Sequence, residues 1–357
     1  MQRRPRLTDR FDRGAHRHEN TASPREGCTG LLGRTFSQYG PCSIHHVANH
    51  VTAYASSARS GAAAAALIVM VVSGCTGAGS SNLRQSSPTP AQSPEFAFTA
   101  PANLGPTMNS MGFDGGPSIS ADGLSLYFIS DRPLAVTGGD IWVATRQTSA
   151  EPFGNPQRLG PTINGAGDEG GPDISTDGLE LFFDRDDGNL YVSARTNTSQ
   201  PFGQPRKLSV GGHPDISADG LDLYFSSSQM EGMGGTDLWV LSRPGRAAPF
   251  GPPVNLGPTV NTQVNDGEPS ISDDGLALFF ASDRSPGSGN LDLWVTIRAS
   301  RSDPFHKPRN LGPTVNSFFN DDTPEISTNG KTLFFMSNRP GGSGFFDLYE
   351  VRRVDRR

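Results

Sequence analysis

Beyond residue 75 the chain has no cysteine; its three are Cys28, Cys42 and Cys75. A disulfide framework and a cysteine-based metal site are therefore excluded from the last 282 residues. Histidine is almost as scarce there, with His213 and His306 alone. A nucleophilic triad built on His213 would need a serine elbow, and no Gly-x-Ser-x-Gly occurs after residue 75. Charge is thin, at 18% of residues and a formal balance of -6. The nine arginines and four acids of residues 1–75 hide a more acidic remainder of 21 basic and 32 acidic side chains. A body of that sign is not built to follow phosphate backbones, so nucleic acid is excluded as a partner. What abounds is Gly (43) and Pro (29), without a Gly-X-Y period. That composition excludes collagen and long helical bundles and favours turn-rich β structure.

Long apolar runs are also missing. Ala62–Val72 is too short to span a bilayer but has the length of a signal-peptide core, and it follows Arg59. Val72-Ser73-Gly74-Cys75 resembles the lipobox of bacterial lipoproteins, in which the chain is cut before the cysteine and its thiol is acylated. The resemblance implies lipidation of Cys75, membrane contact through that lipid only, and an exported, membrane-anchored protein, periplasmic or at the cell surface. A plain signal peptide or a weak membrane anchor are the alternatives. Residues 1–50 read as a leader foreign to the fold, 51–74 as the signal peptide, and 75–94, rich in Ser, Gly, Pro, Gln and Thr, as a tether. Residues 95–353 form the folded part and 354–357 a tail.

One unit recurs five times in that folded part. Turns fall at Asp122-Gly123, Asp177-Gly178, Asp219-Gly220, Asp274-Gly275 and Asn329-Gly330, each preceded by Pro-x-Ile-Ser and followed by a bulky aromatic strand. A third strand carries Asp140-Ile141-Trp142, Asn189-Leu190-Tyr191, Asp237-Leu238-Trp239, Asp292-Leu293-Trp294 and Asp347-Leu348-Tyr349, and a fourth ends at Leu104, Leu159, Leu208, Leu256 and Leu311. Four strands per unit make one propeller blade. Trp142, Trp239 and Trp294 recur at one blade position, which reads as core packing rather than sugar stacking.

The Pro-x-Ile-Ser-x-Asp-Gly run, Phe280-Ala281-Ser282-Asp283-Arg284 and the Asp-Leu-Trp strand resemble the WD40-like (PD40) repeat of TolB-type propellers, over residues 95–353. The resemblance implies a propeller; the five units here, against six in that family, withhold its particular role. The first fourth-strand motif, Phe98, Pro101, Leu104, precedes any complete blade, and the last unit stops after its third strand. Pairing Phe98–Leu104 with Leu348–Arg352 would complete the fifth blade and remove both open edges. The expected fold is all-β: a five-bladed β-propeller of four-stranded blades, closed by pairing an N-terminal strand with the C-terminal blade.

Segment lengths locate where the units differ. The third-strand Asp or Asn lies 19 residues before the next fourth-strand Leu in every case, so one face of the ring is uniform. The fourth-to-first connection is shortened at Leu208 to Asp219, and the second-to-third at Asp177 to Asn189; both emerge on the other face. A notch is expected there, between or above blades 2 and 3. The same face collects Asp114, Glu169, Asp266 and Asp321, each three residues before the first-strand Pro, where blade 3 has Gly211 and brings His213 against Pro214. Asp168, Glu268 and Asp322 stand nearby, and Arg132, Arg284 and Arg339 follow the second strand. Three uses are open for these groups. They could cap strand ends or pair with Arg within each blade. They could hold a divalent cation or a cationic ligand, calcium being the one cofactor the acids leave open although no EF-hand-like spacing occurs. Two acids roughly 5 to 9.5 Å apart could cleave a glycosidic bond. The expected function is a monomeric, lipid-anchored, non-catalytic binding or scaffold module for an envelope protein or glycan; the alternative is a glycan-active hydrolase working at the acidic mouth.

Overall fold

The computed structural model describes residues 96–133, 135 and 138–354. Cys75, the signal segment and the tether lie outside the described residues, among which no helix is long and apolar enough to cross a membrane. The first strand among the described residues is short, β1 (Ala102–Asn103). Blade 1 then holds β2 (Asp114–Ile119), β3 (Ser125–Ser130), β4 (Asp140–Thr145) and β5 (Gln157–Arg158). Blade 2 is β6 (Glu169–Ile174), β7 (Glu180–Arg185), β8 (Asn189–Ala194) and β9 (Arg206–Val210). Blade 3 is β10 (Gly212–Ile216), β11 (Asp222–Ser227), β12 (Asp237–Ser242) and β13 (Val254–Asn255). Blade 4 is β14 (Asp266–Ile271), β15 (Ala277–Ser282), β16 (Asp292–Ile297) and β17 (Arg309–Asn310). Blade 5 takes β18 (Asp321–Ile326), β19 (Thr332–Ser337) and β20 (Asp347–Arg352), with β1 as its outermost strand.

The closure expected from the repeats is present. Ala102 pairs with Glu350 and Asn103 with Tyr349; Phe98 bridges Arg353, and the Leu104 N–H donates to the Leu348 carbonyl. An antiparallel strand from the start of the fold thus completes the last blade and leaves no open end.

Two consecutive aromatics in each second strand build the core. Side chains alternate across a strand, so one ring faces each neighbouring blade. Tyr127 packs with Phe183 between blades 1 and 2, Phe182 with Phe225 between 2 and 3, and Tyr224 with Phe280 between 3 and 4. Phe279 joins Phe335 between blades 4 and 5, and Phe334 joins Phe128 between 5 and 1. Five such clusters fill five interfaces, which is why the ring has no missing sector. Trp142, Trp239 and Trp294 are buried in them, as their recurrence implied. Each ring is almost completely buried, and truncating one would cost about 3 to 5 kcal/mol.

Every turn expected at Asp-Gly or Asn-Gly is a tight hairpin. In blade 1 the Asp122 carboxylate accepts the Ser120 hydroxyl and the Leu124 N–H, while Gly123 takes a positive φ of 71° that favours glycine.

Candidate functional site

The first strands surround the axis, and each is bulged between the residue two before the proline and the residue after it. The residue before the proline takes a left-handed φ in all five blades: Gly116, Gly171, His213, Glu268 and Thr323. Glycine suits that conformation; His213 (φ 49°), Glu268 (φ 52°) and the β-branched Thr323 (φ 47°) do not. Three consecutive blades therefore hold strained side chains around the mouth of the narrow central channel, which these five residues line.

The repeated acids resolve into a blade staple. Arg132 pairs with Asp114 at 2.6 Å, Arg185 with Glu169 at 3.1 Å, Arg284 with Asp266 and Arg339 with Asp321. The acids are at most 2% exposed. Each also accepts a backbone N–H from the loop before it, as Glu169 does from Gly165 and Asp266 from Thr262. The arginines donate onward to the carbonyls of Met108, Ile163, Val260 and Val315 and lie over the aromatic rings of their own blade, Arg132 being 4.9 Å from the Phe128 centroid. These four acids are committed within their blades. Arg185 performs this role although it stands two positions earlier than its counterparts, so a search by fixed spacing misses it.

Blade 3 lacks both halves of the staple: Gly211 replaces the acid and Gln229 the arginine. A second device is lost with them. In the other connections a buried Asn clasps the preceding third strand, Asn164 accepting the Ile141 N–H and donating to its carbonyl, with Asn109, Asn261 and Asn316 acting alike on Leu348, Leu238 and Leu293. The shortened Leu208–Asp219 connection has no room for it. Instead β9 extends to five residues and pairs along β8 up to Asn189–Val210.

The expected notch is there, and it is wider than expected. A cleft of about 600 Å³ opens above blades 2 and 3 and reaches blade 4, lined by residues that include Asp184, Asp186, Asp187, His213, Gln229 and Glu268. His213 Nε2 lies 3.9 Å from Glu268 Oε1. Glu268 is buried, and burial first, then the nearby Asp322 and Asp184 charges, push its carboxyl well above the usual range. The neighbouring Asp322 carboxylate accepts the Thr323 N–H. Of the acids named from sequence, only Glu268 lines the cleft; Asp322 meets it from behind, and Asp168 binds the Gly138 N–H at 2.7 Å. Glu169 is pushed up to about 7 by burial, against the pull of Arg185.

Deeper in the channel lies a belt that sequence reading passed over. The residue between Pro and Ile is Ser118, Asp173, Asp215, Ser270 and Glu325 in blades 1 to 5. Each side chain accepts the Ile N–H of the following blade: Ile174 donates to Ser118, Ile216 to Asp173, Ile271 to Asp215, Ile326 to Ser270 and Ile119 to Glu325, at 2.6 to 3.1 Å. Ser118 donates to Asp173 and Ser270 to Glu325. Oxygens of Asp173, Asp215 and Glu325 all lie within 4.8 Å of one another, which makes this trio, not the mouth acids, the group of described residues with cation-ligating spacing. Burial pushes Asp173 up to about 6 and, with the Asp173 charge, Glu325 up to about 8; Asp215 rises too, for the same reasons and because of Glu325. The signal was the variation at one repeat position among Ser, Asp and Glu.

No family model matches the chain, and no curated protein sequence matches it. Among solved structures it is similar to TolB from Acinetobacter baumannii, at 14% identity and a TM-score of 0.45, covering 69% of this chain and 55% of that one. This chain thus spans little more than half of that protein. It is similar also to the alpha-L-arabinofuranosidase from Podospora anserina solved with cellotriose, at 11% identity and a TM-score of 0.48, covering 73% of this chain and 98% of that one. An alpha-L-arabinofuranosidase from Lactobacillus brevis matches at 12% identity and a TM-score of 0.46, over 71% and 94%. These are likenesses of strand arrangement and assign no chemistry.

Proposed function

We propose that this propeller is an exported, lipid-anchored binding module, without chemistry of its own, that receives an envelope protein on its mouth face. The observation that carries the reading is the coordinated loss in blade 3 of the acid, the arginine and the long connection, which together open the cleft. A random loop deletion would leave an arginine or an acid orphaned in its blade; here both are gone. The same face carries exposed large apolar side chains on the blades away from the cleft: Met111 (91% exposed), Phe318 (88%), Phe345 (55%) and Phe319 (42%). The Phe345 N–H binds the Gly112 carbonyl, which places it beside Met111. Aromatic and Met side chains on the same face as a polar depression suit a protein interface better than a free sugar chain. The lipid on Cys75 would hold the ring at a membrane. The test is capture from envelope extracts by the protein and by a variant with Phe318→Ser and Phe345→Ser. A partner retained by the first and lost by the second supports the reading; equal recovery by both defeats it.

A glycan-active hydrolase is the second reading, and one observation favours it. Glu268 is a buried carboxyl beside His213 at the cleft, pushed well above the usual range by burial, which is the direction of shift a general acid needs. Turnover of arabinosyl or xylosyl substrates that Glu268→Gln abolishes, with folding intact, would establish it.

A further inference from the structure

We propose that the inner belt is a proton clasp: the ring closes on carboxyl groups of blades 2, 3 and 5 that retain at least one shared proton at neutral pH, and losing it weakens the joints between blades. The inference is independent of what the mouth binds. It stands on geometry. Every blade boundary at the axis is crossed by one hydrogen bond from an Ile N–H to the side chain of the preceding blade, so the belt is continuous around the ring. Two of its five members are neutral hydroxyls and three are carboxyls within 4.8 Å of one another. Asp215 and Glu325 are both buried, with carboxyl oxygens within 4.8 Å of each other across the channel. Buried carboxylates that close repel one another strongly, and a shared proton removes the repulsion. The groups that face the trio are few. From β2 comes Ser118 and from β14 Ser270; β6, β10 and β18 bring the carboxyls themselves, and His213 and Glu268 stand above at the mouth. No Lys or Arg is among the residues lining the channel, so a proton neutralises what a guanidinium does elsewhere in the blades.

The raised carboxyls set the direction of the effect. Unfolded Asp and Glu release their protons near about 4, whereas Asp173 holds its own to about 6 and Glu325 to about 8. The folded chain therefore binds more protons across that window. The stability they contribute is complete below about pH 4 and is lost as pH rises through about 6 to 8. Glu169 and Glu268 add to the same slope, so the belt's share is read as a difference between the protein and its belt variants.

The experiment measures urea unfolding of the protein, Asp215→Asn and Glu325→Gln from pH 5 to 9 in a chelating buffer, with infrared spectra at pH 7. Both variants keep an oxygen for the Ile N–H they serve. The protein's unfolding constant should rise by up to about tenfold per pH unit for each proton released, and the variants' more gently. A protonated-carboxyl band at pH 7 should weaken in both variants. Equal slopes in all three proteins overturn the clasp. So does calcium chloride at pH 7 that raises the melting temperature of the unmodified protein but of neither variant, since a cation would then hold the belt. If neither variant folds, the infrared band of the unmodified protein decides: its absence at pH 7 overturns the proposal.

Discussion

The two faces of the ring were built from the same repeat and treated differently. On the hairpin face, Arg146, Arg195, Arg243 and Arg298 each donate to the carbonyl of the turn glycine in their own blade, and each covers the phenylalanine of its fourth-strand motif, Arg146 lying 4.2 Å from the Phe153 centroid. Blade 5, which is closed by β1, differs only in part, its counterpart Arg353 lying over Phe96. On the mouth face the corresponding staple, acid to arginine to aromatic ring, holds in four blades and is dismantled in the third. The difference separates parts that hold a blade together from a part that gave up holding in order to leave space.

Restoring the mouth face to uniformity should have the largest effect. A variant in which both short connections are extended to the common length loses the cleft, and capture of the partner should fall more than tenfold while the melting temperature stays the same or rises. Unchanged capture would remove the functional meaning of the asymmetry. Next, breaking a staple should be costly where it exists and cheap where it does not. Arg284→Ala leaves buried Asp266 without its partner, with an expected loss of about 3 to 5 kcal/mol in urea unfolding. Gln229→Ala, at the same position of blade 3, should cost well under about 1 kcal/mol. Comparable losses in the two would erase the contrast. The smallest effect concerns strain. His213→Gly relieves the left-handed backbone that Gly116 and Gly171 adopt without penalty, and should stabilise the fold by about 1 kcal/mol while weakening capture. A destabilised His213→Gly protein would show that His213 serves the fold instead.

Acid should expose a different set of groups from alkali. Asp219 is partly buried, which alone would raise it, but Arg301, the Ser217 hydroxyl and the Leu221 N–H outweigh burial and pull it down to about 2. Its contribution is present above about 4 and is lost as pH falls through about 2, so the stability profile should peak near pH 4 to 5 and decline on both sides. A plateau from pH 5 to 9 would contradict the acidic belt and the buried mouth acids together.

The fold was legible because five copies of one pattern average out local ambiguity: strand order, ring closure through Phe98–Leu104 and the position of the cleft all follow from motif spacing. The chemistry was legible only in part. Asp114, Glu169, Asp266 and Asp321 stood out as repeated acids, yet their depth in the blades depends on loops folding back over them, which spacing does not report. Arg185 escaped because it reaches its acid from a different rung of the strand. Asp173, Asp215 and Glu325 were in view inside Pro-x-Ile, but a strand position that looks constant in shape hid its variation in charge. What joined them was the fivefold convergence at the axis, a property of the closed ring.

The joining of β1 to β20 also places the two ends of the fold side by side, with the Val354 N–H on the Ala97 carbonyl. A pull applied through the chain preceding Phe96 would meet blade 5 first and load the β1–β20 hydrogen bonds lengthwise, in shear, with the Phe98 ring as anchor. The seam would be the mechanical fuse of the molecule, and the other four blades would feel the load only after it had parted.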